Sequence, residues 1–167
     1  MRGMALLWIV LGIIAIVAAF AATMATVVLF GALLLLAGLF QFIHIFSDRA
    51  NLSGWKILSG ILYLLVGILL LVDPVGGAIG LTFLLALFFL FIGLLRLSFG
   101  VVARKTGISA GWHFAGGILN LLLAVLIFLG WPETGTWVIG LFVGIEMLFG
   151  GISLLLFPMT IYRVESL

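Results

Sequence analysis

The sequence predicts an all-α membrane protein with six transmembrane helices, arranged as three repeated helical hairpins with both termini on the cytoplasmic side. The first observation is composition: of 167 residues, 66% are hydrophobic and 7% are charged, whereas charged residues make up about 25% of an average soluble domain. The second is that apolar residues form six long runs, each approaching the ~20 residues that a membrane-spanning helix needs. The third is that charged residues fall between these runs at regular intervals.

The six apolar runs are the predicted spans. Their approximate limits along the chain are 5–22, 26–46, 56–72, 78–102, 111–129 and 136–157. A β-barrel would need apolar and polar residues to alternate, and the stretch from Leu81 to Leu95 does not alternate, so a barrel is excluded. Residues 1–23 also have the pattern of a signal peptide, with Arg2 before an apolar run and alanines after it. The internal repeat favours their retention as the first span.

Proline and glycine mark the turns of the second and third hairpins. Pro74 lies in the turn predicted at 73–77, and Pro132 lies in the turn predicted at 130–135. Because proline cannot continue a helix and glycine permits a tight reversal, each turn should end one helix and begin the next. The first hairpin has no proline, and its turn is placed in the Ala/Thr-rich segment 21–26.

An internal repeat runs through the chain, which is predicted to form a single domain covering 1–167. The clearest match aligns segment 55–62 with segment 112–119, since both contain Trp and then Gly-Ile-Leu. Trp8 and Gly12 are assigned to the same positions in the first hairpin. The three units span approximately 1–50, 51–107 and 108–167. A regular period of this kind indicates duplication of one supersecondary unit.

The placement of basic residues predicts the orientation of the chain. Six of the seven Lys and Arg residues lie on one predicted side, whereas the opposite side carries only the acidic residues Asp73 and Glu133. Because Lys and Arg are concentrated in cytoplasmic segments, the termini and the segments near 47–55 and 103–111 are expected to face the cytoplasm. The six basic residues are Arg2, Arg49, Lys56, Arg104, Lys105 and Arg163.

Three polar residues within the spans form the candidate site, because polar and ionisable groups are costly inside a membrane. Glu146 lies near the middle of the sixth run and shares a helix face with Gly150 and Ser153. It is interpreted either as a carboxyl that binds a proton or cation or as a structural carboxyl between helices. Arg96 is expected to extend to the cytoplasmic edge or to pair with Glu146, and Asn120 to form an interhelical hydrogen bond.

The 22 glycines include two pairs separated by three residues, Gly140 with Gly144 and Gly76 with Gly80. Such pairs let neighbouring helices in a membrane approach closely. The expected use is packing within the monomer, with a dimer interface as the alternative.

Several classes of function are not supported by the sequence. The chain has no cysteine, which excludes disulfides and thiolate metal sites. It contains no P-loop, HExxH or nucleophile-elbow motif, so we expect no enzyme, no catalytic residues, and no metal or cofactor site. The pI of about 9.5 rests on a net charge of +2 and does not indicate nucleic-acid binding. The expected partner is the lipid bilayer, and a homo-oligomer or other membrane proteins stay open as partners.

The three hairpins share an initial Trp followed by Gly and an Arg after the returning helix, and the second and third also have a proline in the outer turn. These features are clearest at Trp55, Gly60, Gly67, Asp73-Pro74, Gly93, Arg104, Trp112, Gly117 and Pro132. Over nearly the whole chain the pattern resembles the HdeD family of bacterial acid-resistance membrane proteins. The resemblance implies a six-helix inner-membrane protein linked to acid stress, and it supplies no catalytic residues and no transported substrate. The first turn departs from the pattern because it lacks the proline.

Three functions stay open at this point. The leading one is acid tolerance of the cell envelope, in which exposed carboxyls such as Asp73 and Glu133 become neutral as the external pH falls toward about 4. The second is a small transporter or channel for protons, ions or small solutes, with Glu146, Arg96 and Asn120 lining a polar path. The third is a structural or assembly partner of other membrane proteins.

Overall fold

The computed structural model describes residues 2–47, 54–105 and 110–156, and within these ranges it consists of helices and turns without a strand. The six α-helices are α1 (Arg2–Val17), α2 (Ala19–Ser47), α3 (Gly54–Val72), α4 (Pro74–Lys105), α5 (Gly111–Leu129) and α6 (Val138–Leu156). A short 3-10 helix, Glu133–Thr136, lies between α5 and α6. The all-α prediction is therefore confirmed. Arg49 and Arg163, which contribute to the predicted orientation, lie outside the described residues.

Five of the described helices, α2 to α6, are long and apolar enough to cross a membrane. Helix α1 is also apolar, but its 16 residues extend only about 24 Å at 1.5 Å per residue. That length is shorter than the ~30 Å hydrocarbon core of a bilayer. The predicted number of helices is confirmed, and five of them meet the length expected of a span.

The first two helices join without the turn that the sequence predicts at 21–26, and this boundary is wrong. Helix α2 already begins at Ala19, and Ala18 alone separates it from α1. The N–H of Ala18 donates to the carbonyl of Ile14 at 2.8 Å, and the N–H of Ala22 donates to the carbonyl of Ala18 at 2.9 Å. Alanine has the highest helix propensity and the segment lacks proline and glycine, so nothing in it stops the helix.

The two proline turns lie where the sequence predicts them. At the first, Asp73 is the only non-helical residue, and Pro74 begins α4, a position where its missing N–H costs no hydrogen bond. The Asp73 carboxylate accepts a hydrogen bond from the N–H of Gly76 at 2.9 Å and so caps α4. At the second, Pro132 follows a cis peptide bond and precedes the 3-10 helix.

Two ends of the bundle can be distinguished. At the junction end lie the α1–α2 and α3–α4 junctions and the 3-10 helix; at the linker end, α2 and α4 end and α3 and α5 begin. Helix α1 packs most closely on α6, α2 on α3, and α4 on α5. By contrast, α1 and α2 touch only slightly, as do α3 and α4. The closely packed pairs are therefore not the predicted hairpins.

Small residues explain why these pairs are the close ones. In each pair a glycine of one helix faces a glycine of the other, and an added Cβ on at least one of the two would lie 2.9–3.2 Å from the carbonyl oxygen of its partner. The side-chain-free surface lets the two backbones meet, which favours helix association in a membrane. Further small residues follow at intervals of seven, which keeps them on one seam of the helix. The facing glycines are Gly12 and Gly144, Gly31 and Gly67, and Gly93 and Gly117.

The expectation for the two glycine pairs is confirmed for one of them. Gly140 and Gly144 are both buried, and each would place an added Cβ against the backbone of α1 or α2. Gly76 and Gly80 are exposed, and an added Cβ at Gly80 would meet no atom within 4 Å. The Gly76–Gly80 pair therefore packs no helix within the described part of the monomer.

The three close pairs are related by the internal repeat. The first helix of each unit packs on the second helix of the preceding unit, and α1 closes the ring by packing on α6. In this arrangement Gly12 occupies the position that Gly67 occupies in the second unit. The predicted match of Gly12 with Gly60 is therefore wrong by two helical turns. Such a shift leaves the same face inward, so the apolar pattern alone cannot distinguish the two alignments.

Two buried apolar clusters lie toward the junction end, one shared by α2, α3 and α4 and the other by α4, α5 and α6. The hydroxyl of Thr23 accepts a hydrogen bond from the N–H of Gly140 at 2.8 Å and thereby joins α2 to the first turn of α6. The hydroxyl of Thr82 donates to the carbonyl of Gly135 at 3.3 Å and joins α4 to the 3-10 helix. Both threonine side chains are fully buried. The same end of the three second helices is therefore held by polar as well as apolar contacts.

Candidate functional site

A half-open cleft of about 400 Å³ lies among α2, α4 and α6, the second helices of the three units. Its lining includes two sets of residues at equivalent positions, each set with one member from every unit of the repeat. The two sets are Thr26, Leu81 and Ile139, and Phe30, Leu85 and Val143. Because each unit contributes the same positions, the cleft lies where the three units face one another.

Glu146 is part of the lining of this cleft, and its side chain is exposed. It is eight residues beyond the start of α6 at Val138, which places it about 12 Å along the helix at 1.5 Å per residue. This is close to the middle of the span. The equivalent positions in the first and second units carry Leu33 and Phe88. The fold thus forms with apolar residues at this position in two units out of three, and the carboxyl is particular to the third.

The remainder of the described lining is almost entirely apolar. Thr26 is the other polar side chain that it contains, and its hydroxyl donates to the carbonyl of Ala22 within α2 at 2.7 Å. Phe30, Phe89 and Phe142 contribute three aromatic rings. The rings of Phe89 and Phe142 have centroids 5.6 Å apart and are tilted by 50°. The Glu146 carboxyl therefore borders a cleft whose described lining contains only one other polar side chain.

Arg96 and Asn120 lie elsewhere. The Arg96 guanidinium lies against Gly116 of α5, and Asn120 follows one turn later on the same helix, half-buried. In the part of the chain that the structure describes, neither residue lines the cleft that contains Glu146. The three residues predicted to form one polar site thus occupy two separate places.

The position of Arg96 has a counterpart in the first unit. Gln41 lies one repeat before Arg96 in the sequence, and Ser59 lies one repeat before Gly116. Gln41 and Ser59 therefore occupy the positions that Arg96 and Gly116 occupy in the next unit. The Gln41 amide donates to the hydroxyl of Ser59 at 3.4 Å and to the carbonyl of Lys56 at 3.3 Å. Both positions therefore place a long polar side chain across the seam between two closely packed helices, near the linker end.

The acidic residues Asp73 and Glu133 are exposed at the junction end. Asp73 caps α4, while Glu133 begins the 3-10 helix and its carbonyl accepts a hydrogen bond from the Thr136 hydroxyl at 2.8 Å. Neither lines the cleft. Asp73 has a structural role as a helix cap whether or not its charge responds to external acid.

The sequence interpretation identified Glu146 but missed the aromatic residues of the cleft. Phe30, Phe89 and Phe142 belong to long apolar runs, where an inward-facing and a lipid-facing phenylalanine give the same signal. One signal was present: Phe30, Leu85 and Val143 are separated by one repeat each, and positions that face a common axis must recur at that interval.

Comparison with known proteins agrees with the repeat. The chain matches a family described as a short repeat of unknown function (DUF308) at residues 3–72 and again at residues 58–129. The starts of the two matches are separated by the same interval as Gly12 and Gly67.

Among curated proteins the chain is similar to Protein HdeD of Escherichia coli K12. The two are 29% identical over 132 residues, which cover 76% of this chain and 68% of the relative. Protein HdeD of Escherichia coli O157:H7 and of Shigella flexneri match to the same extent. No solved structure matches the chain. With five helices long enough to span a bilayer, the chain is a multi-pass membrane protein related to HdeD, and it belongs to the DUF308 family of short-repeat proteins.

Proposed function

We propose that this protein lies in the inner membrane and supports survival of the cell envelope under acid stress. The observation that carries the proposal is the similarity to Protein HdeD over 132 residues. The repeated helices and their proline turns support it, because they resemble a family of acid-resistance membrane proteins.

The proposal includes an orientation with both termini in the cytoplasm. Lys56, Arg104 and Lys105 lie at the linker end, whereas Asp73 and Glu133 lie at the junction end. Because Lys and Arg concentrate on the cytoplasmic side, the linker end faces the cytoplasm in this proposal. Attaching a reporter that is active only outside the cytoplasm after Leu156 tests it, since reporter activity there would overturn the orientation.

In this orientation the junction end meets external acid first. In this proposal the acid acts through the two acidic residues exposed at that end, Asp73 and Glu133. A neutral Asp73 side chain accepts the hydrogen bond from the N–H of Gly76 less strongly than a carboxylate does. That hydrogen bond would therefore weaken without being lost, and neutral side chains at both positions would make the surface of the junction end more positive.

The acid role is tested by survival of an extreme-acid challenge in a host that lacks the gene. Wild type should restore survival. If survival depends on the change from charged to neutral, a variant with Asp73→Asn and Glu133→Gln, which is neutral at every pH, should restore less of it. The asparagine keeps a good helix cap, so a deficit reports on charge rather than on folding. Failure of wild type to restore survival would remove the acid role, and equal rescue by both proteins would remove the two carboxyls from it.

The cleft supports a second candidate function, a small transporter for protons or cations. Glu146 lies near the middle of its span in a half-open cleft, and ionisable residues at such depth often mark ion or substrate pathways. Proteoliposomes loaded with a pH-sensitive dye test this function. A proton flux that saturates with the imposed gradient and is lost with Glu146→Gln would support it, and flux equal to that of protein-free vesicles would exclude it for protons.

A further inference from the structure

We propose that the cleft among α2, α4 and α6 binds a lipophilic organic cation, that is, an ammonium or phosphonium group carried on an apolar body. The proposal does not depend on the acid-stress role, because binding is measured on the purified protein. Its basis is the combination of one carboxyl, three aromatic rings and an otherwise apolar lining in a cleft of about 400 Å³.

The charge of the cleft favours a cation. Glu146 is the one ionisable side chain in its described lining, and the Arg96 guanidinium lies against α5 instead. A carboxylate inside a membrane is costly unless it has a partner. The apolar residues Leu33 and Phe88 at the equivalent positions show that packing of the repeat does not require the carboxyl. A bound cation would supply the missing charge.

The aromatic rings favour an organic cation. Phe30, Phe89 and Phe142 lie around the same cleft as Glu146. The face of an aromatic ring attracts ammonium groups, and several rings together form the cages that bind quaternary ammonium ligands. Phenylalanine also accommodates the apolar body of the ligand without leaving a polar group unpaired.

A metal ion fits the lining less well. Ca²⁺ takes six to eight oxygen ligands, and Mg²⁺ requires near-octahedral oxygen coordination. The described lining offers oxygen atoms from two side chains, Glu146 and Thr26, and the Thr26 hydroxyl already donates to the carbonyl of Ala22. The described residues also contain no cluster of three or more His, Cys, Asp or Glu side chains. An organic cation needs only the one carboxyl and the rings.

The size and access of the cleft suit such a ligand. Pockets for small molecules have volumes of roughly 300–1,000 Å³, and this cleft has about 400 Å³. It is half open rather than sealed. A ligand with an apolar body can therefore reach it by first dissolving in the bilayer.

The test is equilibrium binding of radiolabelled tetraphenylphosphonium to the full chain in lipid nanodiscs, with protein-free nanodiscs subtracted. Triphenylphosphine oxide, which is neutral, serves as the competing analogue. Wild type should bind the cation saturably, and the neutral compound should not displace it. Glu146→Gln should weaken binding by at least about ten-fold, because removing one partner of a desolvated charge pair is costly. Glu133→Gln, which removes a carboxyl outside the cleft, should leave binding unchanged.

A second variant separates the cleft from the charge. Val143→Leu keeps Glu146, adds no aromatic ring and reduces the space beside the carboxyl, so it should also weaken binding. Absence of saturable binding to wild type would overturn the proposal. So would binding to Glu146→Gln within two-fold of wild type, displacement by the neutral analogue, or unchanged binding to Val143→Leu. If Glu146→Gln does not fold, the neutral analogue and Val143→Leu still decide the question.

Discussion

Replacing Gly144 with alanine should destabilise the protein, although the same replacement stabilises most helices. Gly144 lies in the seam between α6 and α1, facing Gly12. The added Cβ would lie 2.7 Å from the side chain of Ile16 and 2.9 Å from the Gly12 carbonyl oxygen. Since ordinary contacts begin near 3.4 Å, the two helices must separate locally by about 0.5 Å to admit the methyl group.

Two opposing terms set the magnitude. Alanine gains about 1 kcal/mol over glycine in helix propensity. Overpacking a tight contact costs about 1–3 kcal/mol, and the upper part of that range applies here because backbone atoms cannot rotate away as side chains do. The expected net effect of Gly144→Ala is therefore a loss of about 1–2 kcal/mol in the free energy of unfolding.

The matched control is Gly80→Ala, because an added Cβ at Gly80 meets no atom within 4 Å. It should be neutral or stabilising by up to about 1 kcal/mol. Both variants are compared with wild type by reversible unfolding in mixed detergent micelles, followed by circular dichroism. Adding Gly12→Ala to Gly144→Ala should cost less than the sum of the two single changes, because the first methyl group already widens the same seam. Equal stability of Gly144→Ala and Gly80→Ala would refute the packing argument.

Three further changes test individual hydrogen bonds by the same unfolding measurement. Thr23→Val should lower the free energy of unfolding by about 1–3 kcal/mol, because it leaves the buried N–H of Gly140 without its hydroxyl acceptor. A loss below about 0.5 kcal/mol would mean that this N–H finds another acceptor. Asp73→Ala should cost about 1 kcal/mol and Asp73→Asn much less, since only alanine removes the cap that receives the N–H of Gly76; equal costs would contradict the capping role. Gln41→Leu should cost about 0.6 kcal/mol, the usual value of an interhelical hydrogen bond in a membrane protein, and a stabilised variant would show that the bond contributes nothing.

The sequence predicts the helices well because their signal is local. An apolar run of about 20 residues commits a segment to one helix in a bilayer, and Pro74 and Pro132 mark helix starts without reference to the rest of the chain. The segment 21–26 gives a false turn signal because its polar threonines resemble those of a turn. The hydroxyls of Thr23 and Thr26 instead donate to carbonyls four residues earlier, which satisfies them inside a helix.

Helix pairing is harder to predict because its signal is not local. The seven-residue spacing of glycine and alanine shows which face of a helix packs closely, but all six described helices carry such a face. Nothing at Gly144 itself indicates Gly12 as its partner in place of a glycine on α5. The same contrast between local and non-local signals applies to the residues of the candidate site. An intramembrane carboxyl such as Glu146 is conspicuous in the sequence, whereas its aromatic neighbours become recognisable only once α2, α4 and α6 are brought together.

The closure of the ring by α1 and α6 has a consequence for biosynthesis. Helices α2 and α3 can pair soon after both leave the ribosome, and so can α4 and α5, but among these six helices α1 is made first and its partner α6 last. Until α6 emerges, the face of α1 that contains Gly12 cannot pack against α6. During that time the short helix α1 lies in the bilayer or against the insertion machinery without this contact. Ala5 lies beside Gly151, so the start of α1 and the end of α6 meet at the same end of the bundle. A circular permutant that begins at α2 and ends with α1 would make all three pairs consecutive, and its nascent chain could complete each pair in order of synthesis.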